Sequence, residues 1–309
     1  MLYPDKAIDV ILLSCDGVIN RGGDNPWEVN ATLEDKIVER ALNKREVRTE
    51  IRSWSDPSVN WAEAGCVLVR TPWDYNDDFP KFFSWMEETS KLTQFLNPIE
   101  LLTWNIDKHY LQDLEEAGVH IVPSIFIEVG EERSLTSIVE RSGWEEVVLK
   151  PCVSAGARHT YRFRPEEAGK HETIFRELIQ EEAMILQPFI KDILSLGEYS
   201  FMYINGKYSF TTCKKAKEGD YRVQDDFGGT VELYDPSQEE KALTLKMVEA
   251  CPIMPMYARV DCIPTKTGDL LLSEIELIEP ELWFRLNGDA AEDLADALIG
   301  RLTKKQAAY

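Results

Sequence analysis

Apolar and polar positions follow one another along the chain in blocks whose period changes. Ile8 to Leu13 is a largely apolar run that ends in the turn residues Ser14-Cys15-Asp16-Gly17. Leu33, Ile37, Val38, Ala41 and Leu42 then recur at helical spacing. A strand followed by a helix begins a βα unit. Val47 to Ile51 predicts another strand. Cys66-Val67-Leu68-Val69 is wholly apolar, as expected of a strand covered on both faces, and it ends in Arg70-Thr71-Pro72-Trp73-Asp74-Tyr75. Residues at such strand ends tend to line ligand crevices.

Phe79 to Leu92 predicts a helix, Pro98 a loop, and Asn105-Ile106-Asp107-Lys108 the start of a helix that runs to Gly118. Extended segments from Val119 to Val122 and from Ser124 to Val129 flank Pro123. Ser137 to Ser142 reads as a helix, and Glu146 to Leu149 as a strand meeting Lys150-Pro151. The later chain is strand-rich: Ala183 to Gln187, Tyr199 to Ile204, Lys207 to Thr212, Met256 to Ile263 and Leu270 to Leu277. Asn205-Gly206 is its strongest hairpin signal. Ala290 to Leu302 is an amphipathic closing helix. No repeat, low-complexity tract or flexible linker interrupts the chain.

At 309 residues the chain can hold two or three packed subdomains. Its 34 Lys plus Arg against 55 Asp plus Glu give a net charge of −21, which opposes nucleic acid and anionic membrane and points to a small-molecule partner. There is no run of about 18 apolar residues, and Met1 to Lys6 does not open a leader, so a cytoplasmic protein is expected. Cys15, Cys66, Cys152, Cys213, Cys251 and Cys262 form no C-x-x-C pair and read as buried thiols. His109, His120, His159 and His171 show no zinc spacing.

Glycine-rich nucleotide motifs are absent, with neither a Walker sequence nor a G-x-G pair. A different phosphate-handling pattern is present. Lys150 ends an apolar strand as a point charge, and the small, polar, cationic loop Ser154-Ala155-Gly156-Ala157-Arg158-His159-Thr160 could offer backbone N–H groups to phosphate oxygens; a plain surface loop is the alternative. Strand alternation puts Glu274 and Glu276 on one face, and Tyr257, Arg259 and Asp261 on one face of the preceding strand. Three carboxylates beside phosphates suit Mg²⁺, whereas a strand face carrying ion pairs is the other reading. Gln187-Pro188-Phe189-Ile190 could read an adenine edge, Glu198 could accept from a ribose, and Lys214 and Arg222 add cations. Gly228-Gly229 marks a mobile loop.

Taken in order, Asn105 with Asp107-Lys108, Val147 to Pro151, the small-residue loop, Gln187 to Ile190, Glu198, Lys214, Arg259-x-Asp261 and Glu274-x-Glu276 resemble the ATP-grasp superfamily. Within it, Arg70 to Tyr75, Gln187 to Ile190, Gly219 to Gln224 and Glu274 to Pro280 resemble the glutathione-synthetase-like branch that includes the O-ureido-serine cyclo-ligase of cycloserine biosynthesis. The resemblance implies an ATP-grasp fold, α/β and α+β, with a pre-ATP-grasp α/β domain over 1–104, a lid subdomain over 105–190 and a catalytic subdomain over 191–309.

It further implies ATP and two Mg²⁺ as cofactors. Lys108 and Lys150 would meet the α and β phosphates, Gln187, Phe189 and Ile190 the adenine, and Glu198 the ribose. Asp261, Glu274 and Glu276 would hold the metals, although many relatives carry Asn where this chain has Glu276. Lys214, Arg222 and Arg259 would neutralise charge during transfer of the γ-phosphoryl group to a substrate carboxylate, and an amine would then attack the acyl phosphate. Arg70, Trp73, Asp74 and Tyr75 would line the substrate pocket. The implied partners are a small-molecule carboxylate and amine; a homodimer accords with relatives, though no interface stripe marks one. A small-molecule kinase on the same scaffold and an ATP-binding regulatory protein are the competing readings.

Overall fold

The apolar runs of the first hundred residues become a parallel sheet, because strands hydrophobic on both faces need helices or a second layer on each side. In the computed structural model, which describes residues 2–20, 26–154, 156–217 and 228–306, these strands are β1 (Ile8–Ser14), β2 (Thr49–Ser53), β3 (Ala64–Thr71) and β4 (Gln94–Leu96), in the order β2-β1-β3-β4. Helices α1 (Asp16–Asn20), α2 (Pro26–Asn43) and α3 (Phe79–Ser90) connect them. Every residue of β3 is buried, Arg70 and Thr71 included.

The helix expected from Asn105 to Gly118 is instead two: α4 (Ile99–Ile106) and α5 (Tyr110–Glu116). Asp107 between them is extended, at φ −101° and ψ 122°, and the Lys108 N–H donates to the Cys152 carbonyl at 3.0 Å. That tertiary hydrogen bond replaces an intrahelical one and turns Lys108 out of the helical register.

A second sheet follows, formed by β5 (Ile125–Ile127), β6 (Val147–Pro151), β7 (Tyr161–Phe163) and β8 (Met184–Pro188) in the antiparallel order β5-β8-β6-β7. Helices α6 (Leu135–Ser142) and α7 (Ala168–Leu178) cover one face, with Ile138, Val139 and Phe175 packed on Val147, Leu149 and Leu186. The short α8 (Ile193–Leu196) leads out.

The third sheet comprises β9 (Glu198–Ile204), β10 (Lys207–Lys215), β11 (Thr230–Tyr234), β12 (Tyr257–Pro264) and β13 (Leu270–Glu276), in the order β11-β10-β9-β12-β13 and antiparallel throughout. Asn205 and Gly206 join β9 to β10 with φ of 49° and 75°, the paired positive values a tight I′ hairpin needs. Helix α9 (Gln238–Glu249), missed by periodicity but opened by a Ser237/Glu240 capping box, joins α5 over one face, where Leu111, Leu114 and Val248 meet Phe201, Val260 and Leu272. The last helix, α10 (Asp289–Gln306), packs on α2 of the first layer, Leu294 and Leu298 sharing a core with Val38 and Leu42. The other face of the third sheet is left to form a cleft against the second.

Candidate active site

The floor of the cleft is the polar face of β9, β10, β12 and β13, and strand register decides which charges meet. Asp261 lies opposite Glu274, Arg259 opposite Glu276, and Lys214 opposite Glu198. The Arg259 guanidinium donates to both Asp261 oxygens at 2.9 to 3.1 Å and reaches across to Glu276. The Lys214 ammonium lies 2.5 Å from Glu198 and 3.3 Å from Asp261, and Ser200 donates to Asp261 at 2.5 Å. Burial pushes the Asp261 carboxyl up, but Arg259 and Lys214 outweigh it and hold the group at about 2. Glu276 goes the other way: burial dominates, and its carboxyl is pushed up to about 8 despite Arg259.

Opposite this floor, β6 and the break between α4 and α5 supply lysines. Lys108 lies 2.9 Å from Glu274 and donates to the Ser154 carbonyl at 2.9 Å. Burial works against the Glu274 carboxylate, but Lys108 and Lys150 pull its pKa below the ordinary range. Lys150 itself forms no hydrogen bond or ion pair among the described residues, and burial lowers its pKa. A desolvated ammonium without a fixed partner has its charge available to an anionic ligand. The loop after β6 turns through left-handed backbone at Gly156, Ala157 and His159, the kind of path that can present N–H groups to an anion.

The cleft holds about 700 Å³. One end is apolar, walled by Val122, Val148, Ile193 and Ile263 together with Gln187, Phe189 and Ile190. This is a slot suited to a flat heterocycle. The Gln187 amide donates to Ser124 at 2.9 Å, and the Phe189 ring lies beneath Arg162, so both side chains are fixed. Glu198 lines the cleft, but its two oxygens are taken by Lys214 and by Ser273 at 2.8 Å. A ribose there would have to share them.

At the other end Trp73 and Tyr75 reach the cleft, and Arg70 and Asp74 do not. This corrects the expectation that all four line a pocket. Arg70 ends the central parallel strand with no solvent exposure, flanked by Tyr257 and Phe284, and Asp74 turns away to accept from the Trp54 indole at 2.6 Å. Tyr257, expected beside Arg259 and Asp261, is buried too, donating to the carbonyls of Val69 and Ile278 at 2.9 and 2.8 Å. Arg222 and the segment from Gly219 to Gln224 lie outside the described residues.

Some residues have roles that the linear pattern does not state, even where, as for Asn105, it includes the residue. Asn105 donates to the Ile275 carbonyl and accepts from the Leu277 N–H, both at 2.8 Å, fixing the end of β13. Three consecutive carbonyls beyond β13, those of Glu279, Pro280 and Glu281, accept from Trp73, Arg70 and Arg259 at 3.0, 3.4 and 3.2 Å. Asp107, His109 and Cys152 also come together, a grouping hidden by the linear spacing; the two His109 ring nitrogens already face Asp107 and Glu128 at 2.5 and 3.2 Å.

The donor set fits a magnesium nucleotide. Asp261, Glu274 and Glu276 offer hard carboxylate oxygens on adjacent strands, and the lysines converge from the facing layer.

The comparisons agree with this geometry. The RimK-like ATP-grasp domain matches residues 121–280, and the N-terminal domain of D-cycloserine synthetase DcsG matches residues 10–97. The chain therefore belongs to the RimK-like ATP-grasp family. It is an ATP-dependent ligase, using ATP and magnesium. Among curated proteins it is similar to the cycloserine biosynthesis protein DcsG of Streptomyces lavendulae, with 28% identity over 273 residues, 83% of this chain and 89% of that protein. Its fold matches the crystal structure of D-cycloserine synthetase DcsG at TM-score 0.83 and 23% identity, covering 95% of this chain and 99% of the other. The D-alanine–D-alanine ligase of Bacillus anthracis complexed with ATP superposes at TM-score 0.67 and 15% identity, covering 97% and 99%. No described helix is long and apolar enough to cross a membrane.

Proposed function

We propose that the chain phosphorylates the carboxylate of an amino-acid-derived substrate and joins the acyl phosphate to an amine, either of a second molecule or of the same one, where it closes a ring. The observation that carries this reading is the convergence of Lys150, which has no partner among the described residues, with Lys108 on the carboxylate row Asp261, Glu274 and Glu276 across one cleft. Similarity to a cycloserine biosynthesis protein favours the amino-acid substrate and the ring closure.

The apolar slot at Val148, Ile190 and Ile263 receives the base, and Gln187, Phe189 and Ile190 present their backbone to its edge. Lys150 and Lys108 hold the inner phosphates, with the N–H groups around Ser154 and Gly156 beside them. Asp261, Glu274 and Glu276 would hold two magnesium ions, which would supply charge neutralisation at the outer phosphates. Arg259, positioned by Asp261, faces the transferring group and then the acyl-phosphate oxygens, and Lys214 adds positive charge; the family resemblance gives Arg222, outside the described residues, the same role. Glu276 must lose the proton that burial favours when a metal binds. Trp73 and Tyr75 form the substrate wall; Arg70 and Asp74 shape it from behind.

The test is product analysis with Mg²⁺-ATP across amino acids and amine-bearing derivatives, with hydroxylamine as a trap. ADP, phosphate and a hydroxamate are expected, dependent on the carboxylate. AMP and pyrophosphate would overturn the acyl-phosphate route, and a stable phosphorylated product indifferent to amines would mean a kinase.

A further inference from the structure

The substrate end of the cleft holds a carboxylate that neither the nucleotide nor the metals require. Glu279 lies three residues beyond Glu276 on the segment leaving β13 and lines the cleft with Trp73 and Tyr75. Its backbone is fixed: the Glu279 carbonyl holds the Trp73 indole, and the next two carbonyls hold Arg70 and Arg259. A side chain on so constrained a segment has a defined direction. The Tyr75 hydroxyl is its hydrogen-bond neighbour, and it forms no ion pair among the described residues.

The neighbouring acids differ. Asp261, Glu274 and Glu276 each have a cation in contact, and Glu281 is bridged to Arg285. Glu279 faces the cleft with the neutral Tyr75 hydroxyl as its hydrogen-bond partner and no cation in contact among the described residues, Lys108 acting on it only at a distance. Burial, with Glu274 adding to it, pushes its carboxyl up to about 7 against the pull of the Tyr75 hydroxyl and the more distant Lys108, so its charge is only partly compensated. Such a charge would repel the phosphates of ATP, so its partner belongs to the other substrate and is cationic. Trp73 and Tyr75 beside it add ring faces, which also favour a cation.

We propose that Glu279, with Tyr75 and Trp73, forms a subsite for a primary ammonium on the substrate whose carboxylate is phosphorylated, making that substrate an amino acid with its amine intact. This rests on the ligase reading above. Glu279 and Arg259 would then grip the two ends of one small zwitterion, its ammonium and its reacting carboxylate.

The experiment pairs α-amino acids of both hands with the α-hydroxy acids of the same side chains. Each is added to the full chain with Mg²⁺ and AMPPNP and read by thermal shift, and the KM for ADP release is measured with Mg²⁺-ATP. Amino acids are expected to raise the melting temperature beyond the nucleotide alone, and hydroxy acids are not. Glu279→Gln should weaken amino-acid affinity about tenfold or more, because a charge partner is lost while the shape is kept, and it should leave the shift given by AMPPNP. Glu279→Asp should fall between. If Glu279→Gln does not fold, the wild-type comparison of amino and hydroxy acids decides alone. Equal response to the two acid classes, no response to any panel member, or unchanged amino-acid affinity in Glu279→Gln would overturn the subsite. So would a change confined to Mg²⁺ dependence. Failure of the wild-type chain to bind AMPPNP or to release ADP with any carboxylate overturns the ligase reading instead, so the two failures are distinguishable.

Discussion

The Lys108 ammonium lies 2.9 Å from the Glu274 carboxylate, although Lys108 comes from the break between α4 and α5 and Glu274 from β13. This pair spans the cleft and joins the two layers that line it. Burial opposes the charge on each, and each holds the other ionised. Under the proposed reading, a metal nucleotide would take over both partners, a phosphate in place of the carboxylate at Lys108 and magnesium in place of the ammonium at Glu274.

Glu274→Gln keeps the size of the side chain and removes its charge. Mg²⁺-dependent ADP release is expected to fall about a hundredfold or more, with the circular dichroism spectrum retained. Unchanged turnover would remove Glu274 from the metal row.

Lys150→Met tests the unpartnered ammonium. Because this cation has no fixed partner among the described residues and burial disfavours its charge, the ligand-free melting temperature should stay the same or rise. The stabilisation that Mg²⁺-AMPPNP gives should be lost. A lower melting temperature with the nucleotide shift intact would show that Lys150 serves the fold.

Asn105→Ala removes two buried hydrogen bonds to the end of β13 and leaves a carbonyl and an N–H without partners. The cost should be about 2–5 kcal/mol in urea unfolding. A loss below about 1 kcal/mol would mean that the strand end finds other partners.

Asp35 sets a pH dependence away from the cleft. It is buried on α2, accepts from Thr71 at 2.6 Å, has one oxygen without a partner, and lies near Ser14, Arg70 and Glu34. Burial pushes its carboxyl from 3.8 up to about 7, against the pull of Arg70. The folded state therefore binds this proton more tightly than the unfolded chain. The contribution to stability is complete below the unfolded pKa, declines as pH rises to about 7, and is level beyond, with a slope of at most about 1.4 kcal/mol per pH unit. Asp35→Asn should flatten that decline when unfolding free energy is followed across this range. An unaltered slope would place the titration elsewhere.

Much of the site is legible in the sequence because strand alternation is strict. Glu274 and Glu276, and Arg259 and Asp261, fall on shared faces by their spacing of two, and Lys150 ends a strand where its side chain can reach a ligand. Lys214 and Glu198 are separable as charged residues at strand ends, but only the register of β9 with β10 makes them partners. Arg70 looked like a ligand residue because it ends an apolar parallel strand. The side chain instead turns inward and ties Pro280 to the first layer, a choice made by packing against Tyr257 and Phe284. The break at Asp107 was equally hidden, since a continuous helical period conceals a hydrogen bond to Cys152 forty-four positions away.

The sequence by itself determined the parallel first layer, the strand-rich later part, the Asn205-Gly206 hairpin and the identity of the carboxylate row. These follow from local periodicity and turn chemistry, which act over a few residues. Tertiary structure decided which charges compensate one another. Arg259 is paired with and held by Asp261 and Glu276, whereas Lys150 and Glu279 face the cleft with no ion pair among the described residues. Pairing across strands and layers depends on register and on which face each sheet buries. Those are set by the whole core, and no window of sequence contains them.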